Sequence, residues 1–225
     1  MIPLARSRHA AARWAVLAPH PDDETIGVGA LIAQAAAAGR LARVVYLTDG
    51  SGSHPLPRAG DRARLVRCRA REAGLSVRRL AGRAAPSPLF LGWQDGHPPA
   101  PGSPAFTATA RRLAILIERA AVDAIAVTAA DETHGDHVAA HALVRAAAAR
   151  ARRRVAVFVY RVWGGAMPRG PRPPLVTVAM PPGRRRHALA AHRSQMTAAL
   201  GPGFRVPPPL RRPPARDRLY PDTPR

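Results

Sequence analysis

The sequence predicts a single α/β domain, a Rossmann-like, mostly parallel sheet flanked by helices, and three observations carry that prediction. Short apolar runs alternate with longer amphipathic ones, the pattern of successive βα units. The 225 residues are 47% hydrophobic, enough to bury one sizeable core but cramped for two. Polar clusters follow the apolar runs directly, and open α/β sheets hold their ligands outside the carboxyl ends of their strands.

Taken in order, residues 14–18 (WAVLA) read as a buried strand and 25–39 as a helix stopped by Gly39. Residues 43–49 (RVVYLTD) read as a second strand, 50–60 as a loop, and 61–82 as a helix that Gly74 interrupts. A short strand at 88–92 leads into 93–106, whose Pro and Gly content marks a loop. Residues 107–121 place Leu113, Leu116 and Ile117 at helical spacing, ahead of a strand at 123–129. A helix at 137–152, strands at 154–163 and 175–180 and a helix at 184–200 complete the series. Eight prolines in the 24 residues from Pro202 onward predict an extended wrap or a disordered tail. The expected division is an N-terminal extension over 1–13, the domain over 14–200 and a Pro/Arg-rich C-terminal tail over 201–225.

A formal net charge of +21 invites a nucleic-acid reading, which the details oppose. All 35 basic residues are arginine, spread along the chain among abundant alanine and 25 prolines, a bias expected of a GC-rich genome. Aromatics are only 4%, too few for a base-stacking platform. No specific nucleic-acid partner is expected, although anionic substrates or surfaces would be favoured. There is no apolar run long enough for a membrane span, and Arg6, Arg8 and Arg13 break up the N-terminus, so a cytoplasmic protein is expected. Cys68, the single cysteine, reads as an inert reduced thiol. Oligomeric state is not legible.

Two segments carry the chemistry. PHPDDE (19–24) follows the first strand, and TAADETHGDH (128–137) ends the strand at 123–129, so both should open on one side of the sheet. Imidazole and carboxylate are ordinary zinc ligands, and a catalytic zinc keeps three protein ligands with one position open. His20 and Asp23 could supply two of them from one turn, and His137 or His134 the third. Asp22, beside a ligand but facing elsewhere, would be free to take a proton. The competing explanation is that Asp22 or Asp23 caps the following helix; a second His/Asp cluster at another strand end argues against two unrelated caps.

LAPHPDDETIGVGALIA resembles the signature of the PIG-L/LmbE-type de-N-acetylases, zinc-dependent hydrolases that remove acetyl from N-acetylglucosamine-like groups. LTDGSGS, RAREAG, FLGWQDG, THGDHVAAH, YRVWG and HRSQM resemble later family segments in order, over about residues 14–197. The resemblance implies one Zn2+ per chain held by His20, Asp23 and His137, with Asp22 as general base. It makes His134 the group that supports the oxyanion or protonates the leaving amine. Asp136 then orients a histidine, and Arg69 and Asp95 hold sugar hydroxyls. The implied substrate is a small N-acetylated amino sugar or glycoconjugate. Two departures stand out: Gly135 replaces a proline found in several relatives, which implies a more flexible loop, and DGSGS (49–53) lacks an acid that several carry.

Two other functions compete: a metal-dependent phosphoesterase using the same clusters, and a basic nucleic-acid-binding protein. Among the remaining residues, His141 reads as solvated or as a partner behind the ligands, and His54, His97, His187 and His192 as surface groups without an acidic partner at metal spacing. Trp163 fits a sugar-stacking wall or a core aromatic equally well. No P-loop or GxSxG motif is present.

Overall fold

Alternation within the apolar runs decides the architecture, because successive strand residues face opposite sides of a sheet. The computed structural model describes residues 1–58, 60–83, 85–164 and 172–222. Among these, eight strands form one sheet: β1 (Ile2–Pro3), β2 (Trp14–Ala18), β3 (Leu41–Thr48), β4 (Leu89–Trp93), β5 (Ala124–Thr128), β6 (Ala156–Tyr160), β7 (Leu175–Val176) and β8 (Arg218–Pro221). Their order is β1-β7-β8-β6-β5-β2-β3-β4, and only β8 runs antiparallel to its neighbours. The single α/β domain expected from the sequence is the one observed.

Helices α1 (Asp23–Ala37) and α2 (Asp61–Ala81) cover one face with the short α5 (Arg184–Leu189); α3 (Pro104–Arg119) and α4 (Gly135–Arg150) cover the other. Trp14, Val16, Val44, Tyr46, Phe158 and Tyr160 point into the first layer. Their strand neighbours Ala15, Leu17, Val45, Leu47, Val157 and Val159 fill the second. Each large aliphatic side chain buried this way contributes about 1.5–3 kcal/mol.

The chain leaves β2 through α1 toward β3 on one side, whereas β5, on the other side of β2, continues outward to β6. The β2/β5 boundary is therefore a topological switch point, and a crevice opens at the carboxyl ends of these two strands. Gly27 lets α1 approach β6 closely, since a Cβ there would collide with the ring of Tyr160. Tyr160 in turn donates its hydroxyl to Leu17 O at 3.1 Å, tying β6 across the sheet to β2.

Several expectations are corrected. Gly74 does not interrupt its helix; α2 is continuous because Leu65, Ala73, Val77 and Leu80 bury one face, which outweighs a helix-interior glycine's cost of about 1 kcal/mol. Residues 184–200 form two short pieces, α5 and α6 (Arg193–Met196), and only Leu175–Val176 of 175–180 is a strand. The prolines after Pro202 do not preclude regular structure. β8 pairs Leu219 with Leu175 and Tyr220 with Val159, burying both Leu219 and Tyr220. At the other end of the chain, β1 pairs in parallel with β7 and Leu4 is 3% exposed, so residues 2–4 join the sheet and core.

Candidate active site

PHPDDE turns sharply from β2 into α1, and its backbone is strained to do so. Asp22 has φ 140° and ψ −30°, a left-handed conformation that costs a non-glycine residue about 1–3 kcal/mol. Asp22 occupies the N-cap position of α1, yet its side chain makes no capping hydrogen bond. The cap explanation therefore does not account for it. Asp23, the first helical residue, turns back so that Oδ2 accepts from His20 N at 2.9 Å and lies 3.2 Å from His20 Nδ1.

The second cluster caps α4. His134 Nδ1 accepts from Asp136 N at 3.2 Å, which turns His137 inward, where it is fully buried. The two loops meet: His137 Nε2 is 3.3 Å from Asp23 Oδ2, and His20 Nε2 is 2.9 Å from Asp136 Oδ2. His20, Asp23 and His137 can each offer a ligand atom within 4.8 Å of the other two.

These residues fit a tetrahedral divalent ion. Bonds of about 2.0–2.1 Å give ligand–ligand edges of about 3.3–3.4 Å, close to the 3.2 and 3.3 Å separations of Asp23 Oδ2 from His20 Nδ1 and His137 Nε2. Both ring nitrogens of His137 are buried and without a hydrogen-bond partner among the described residues, an orphaning a ligand role would explain. Asp136 behind His20, and Glu132 Oε2 at 3.5 Å from His137 Nδ1, stand where partners that orient ligating histidines belong.

His20, Asp95, His134 and Asp136 form a second convergent group. Its donor atoms are largely engaged already: Asp136 Oδ2 accepts from His20 and from Gly96 N (2.8 Å), and Asp95 Oδ2 from Gly52 N (3.1 Å). The first group therefore keeps the freer ligand atoms, and Asp136 of the second lies against His20.

The electrostatics follow from carboxylates crowded around imidazoles in a dry setting. Burial opposes charge on His137, but Asp23 and Glu132 outweigh it and raise its pKa to about 9. His20 is likewise raised, burial being overcome by Asp136, Asp23 and Asp95. Asp23 is held far below the usual carboxylate range by His137 and His20 in spite of its burial. Asp22 goes the other way. Burial lifts it to about 7, with Arg69 restraining the rise, so its carboxyl can exchange a proton near neutrality.

Asp22, Asp95, His134 and Arg69 all border one pocket of about 180 Å3 beside His20 and Asp23. A larger cavity of about 980 Å3 lies at the opposite end of the strands and contains neither cluster. Arg69 is placed differently from a free sugar-holding group. Its guanidinium donates to Pro21 O (2.6 Å) and Gly50 O (2.9 Å), bracing the two loops. His134 is the most open of the convergent His and Asp side chains, 41% exposed, and burial together with the nearby His20 lowers its pKa.

Other histidines are distributed unevenly. His97 and His187 are exposed as expected, but His54 is buried and His192 fully so. His192 has an acidic partner, Glu24 Oε1 at 3.1 Å, supplied by tertiary packing of α6 rather than by a neighbour in sequence. His141 lies away from the pocket and pairs with Asp222 at 3.0 Å. Trp163 is 38% exposed and borders the pocket edge-on to Phe204, so it is no core aromatic. Sequence reasoning missed Glu24, Glu132 and Gln195; all three stand inside the quoted segments, and their burial was the missing signal.

The fold and the site define an α/β domain with a histidine–carboxylate centre at its switch point. The chain belongs to the PIG-L family, described as GlcNAc-PI de-N-acetylase, which matches residues 15–148. No curated protein matches the sequence. Among solved structures, it resembles N,N'-diacetylchitobiose deacetylase from Pyrococcus horikoshii at 20% identity and a TM-score of 0.66, over 85% of this chain and 74% of that one. The conserved protein TT1542 from Thermus thermophilus is similar at 26% identity and a TM-score of 0.60, over 85% and 82%. GalB, the 4-carboxy-2-hydroxymuconate hydratase from Pseudomonas putida, shares the fold at 16% identity and a TM-score of 0.57, over 94% and 96%. The last likeness means that fold alone does not select the reaction.

Proposed function

We propose that the chain is a zinc-dependent hydrolase that removes the N-acetyl group from an N-acetylated amino sugar or glycoconjugate, with one zinc per chain. The observation that carries this is the convergence of His20, Asp23 and His137 beside a buried Asp22 that is not a member of the ligand group. Membership of the PIG-L family supports the reaction, and the Pyrococcus deacetylase lends support at the level of fold.

His20, Asp23 and His137 would hold the ion, which when bound supplies Lewis-acid polarisation of the acetamide carbonyl. Asp22 takes the proton from the attacking water, its elevated pKa matching the task. His134, open to the pocket, supports the developing oxyanion or passes a proton to the leaving amine. Asp136 holds His20, and Asp95 offers a carboxylate to a sugar hydroxyl. Acetate and a free amine leave. Arg69 acts as a brace, and no nucleic-acid partner is assigned to the arginine excess.

A phosphoesterase is the second reading, favoured by the extra convergent group at His20, Asp95, His134 and Asp136, since paired metals serve in-line displacement at phosphorus. Metal content and acetate release from N-acetylglucosamine derivatives separate the two. After zinc reconstitution the deacetylase carries one equivalent. Asp22→Asn keeps the metal and loses on the order of 10²–10⁴-fold in kcat, whereas Asp23→Asn loses the metal first. Two equivalents with no acetate release would transfer the assignment to the phosphoesterase.

A further inference from the structure

All 35 basic residues are arginine, and where the fold puts them separates composition from design. An arginine without a partner is ordinary on a helix face open to water, as Arg111 and Arg112 are on α3. A different arrangement lines the cavity of about 980 Å3 at the amino ends of the strands. Five arginines border it, and they arrive from separate parts of the chain: Arg6 and Arg8 after β1, Arg145 on α4, Arg154 before β6 and Arg172 before β7. Folding thus gathers a positive charge that no single stretch of sequence displays.

The acids that border this cavity are already engaged. Asp222 Oδ2 lies 3.0 Å from His141 Nε2 and 3.5 Å from Arg145 Nη1, and Asp123 Oδ1 lies 2.5 Å from Arg153 Nη2. The carbonyls that end α3 and α4 bring the negative end of each helix dipole to the same side of the sheet, and they too have partners. Arg13 Nε donates to Ala120 O at 2.7 Å, and Arg150 Nη1 to Ala146 O at 2.9 Å. Arg6, Arg154 and Arg172 stand outside these pairings. Each is exposed, and its side chain makes no hydrogen bond or ion pair among the described residues. Arg8, also exposed, donates Nε to His9 Nε2 at 3.1 Å, and its Nη groups are free among the described residues.

His9 registers the resulting field. Its ring stands edge-on to Phe158, centroids 4.9 Å apart, and burial, followed by the charges of Arg8 and Arg172, holds its pKa below the ordinary value. Ile2, 39% exposed, and Val155 add apolar surface to the wall. The volume falls within the ~300–1,000 Å3 of small-ligand sites, which leaves room for more than an inorganic ion. A guanidinium presents a rigid fork that matches two phosphate oxygens at once, and four unneutralised forks around one concavity suit several phosphate charges together.

We propose that this cavity is a ligand site separate from the catalytic pocket, taking a small molecule with two or more phosphate charges held by Arg6, Arg8, Arg154 and Arg172. None of these residues belongs to either histidine–carboxylate group, so the inference stands whatever reaction the chain performs. The concave shape favours a small ligand over duplex DNA, whose phosphates lie along a convex rod.

The test is calorimetric titration of the zinc-reconstituted protein with pyrophosphate at physiological salt. Saturable binding is expected, with Kd below about 1 mM. Arg6→Ala and Arg154→Ala, at exposed positions with no hydrogen bonds to lose, should each weaken it about tenfold, the lower end of a charge-assisted hydrogen bond. The double variant Arg111→Ala/Arg112→Ala removes two charges from the face of α3 and should leave Kd unchanged. Pyrophosphate can also ligate a zinc ion, so Asp23→Asn, which loses the metal, should retain the cavity's affinity. His9 supplies a local readout: its imidazole resonance, identified by its loss in His9→Gln, should titrate at higher pH once the bound anion offsets the field of Arg8 and Arg172. ADP separates two sources of the same chemistry, since binding at least as tight as pyrophosphate assigns an organic phosphate and weaker binding a free polyphosphate. No saturable binding, an unchanged Kd in Arg6→Ala and Arg154→Ala, or an equal loss in the α3 double variant would overturn the site. Citrate binding tighter than pyrophosphate would overturn the phosphate class. Displacement of pyrophosphate by short duplex DNA, with the same dependence on Arg6 and Arg154, would make this face a nucleic-acid surface instead.

Discussion

The Arg69 guanidinium lies 3.8 Å from the Asp22 carboxylate and 3.7 Å from that of Asp95, while its two Nη atoms donate to Pro21 O and Gly50 O. One buried cation therefore joins the loops after β2, β3 and β4 at the pocket. Its removal should cost stability as well as activity. Arg69→Met leaves two carbonyls and two carboxylates without their cation, a loss on the order of 3–5 kcal/mol by urea unfolding. Arg69→Lys should recover little, since an ammonium cannot reproduce a two-pronged fork. Full stability in Arg69→Met would show that the guanidinium braces nothing.

Asp22 pays for its place in the site with backbone strain. At φ 140° glycine is at ease and aspartate is not, and the buried carboxylate adds a desolvation penalty. Asp22→Gly should therefore raise stability by about 1–3 kcal/mol while abolishing acetate release, a trade of stability for function. A destabilised Asp22→Gly protein would mean that the strain is offset by contacts of the side chain.

What the sequence disclosed and what it hid divide along physical lines. The core helices and strands were legible because each carries its own period, and the two chemical loops because His and Asp follow apolar runs without a packing reason. Hidden were features created by long-range pairing. β8 looks unstructured in sequence, since Pro213 and Pro214 precede it and Pro221 ends it, and it exists because β6 and β7 offer it partners. His192 looked like a surface group because its acidic partner Glu24 is distant in sequence.

Gly135 departs from the proline of several relatives, and the structure gives no steric reason for the difference. It is the first residue of α4, a Cβ there would meet nothing within 4 Å, and His134 before it is extended at φ −90°, ψ 130°. That is the residue and the preceding backbone proline prefers at a helix start. Gly135→Pro should stabilise the protein by about 0.4–1 kcal/mol through the unfolded chain, with zinc content unchanged. A fall in stability would reveal a hydrogen bond from Gly135 N that matters.

The C-terminal segment should prove integral to folding. Asp217 Oδ2 accepts from Leu31 N at 2.7 Å, and Asp217 Oδ1 is 2.7 Å from Arg185 Nη1, whose Nε and Nη2 bind Thr25 O and Ile26 O at the start of α1. Truncation after Leu200 deletes β8 from between β6 and β7 and strands Arg185 in the interior. Cooperative thermal unfolding should disappear. The point variant Asp217→Ala, which leaves that arginine buried and unpaired, should cost about 3–5 kcal/mol. A truncated chain that still melts cooperatively near the wild-type temperature would make the segment an appendage.

The Glu24–His192 pair should write a pH signature into stability. Burial alone would lower the His192 pKa, but the Glu24 carboxylate 3.1 Å away outweighs it and raises the value above 6.5. Burial alone would raise Glu24, and His192 outweighs that, holding it below the ordinary 4.5. A raised histidine contributes fully below its unfolded pKa of about 6.5 and loses that contribution as pH climbs through the folded value. A depressed glutamate contributes above about 4.5 and loses its share as pH falls. The pair's support is therefore greatest between these limits and declines on the alkaline side through His192. In urea titrations at pH 6, 7, 8 and 9, wild type should lose more stability with rising pH than His192→Asn, which is neutral throughout. His192→Asn should be the less stable at pH 6, and the gap should narrow toward pH 9. Parallel pH dependences for the two proteins would mean that His192 carries no proton in the folded state, and that Glu24 is held by Thr25, Ser76 and the Asp22 amide alone.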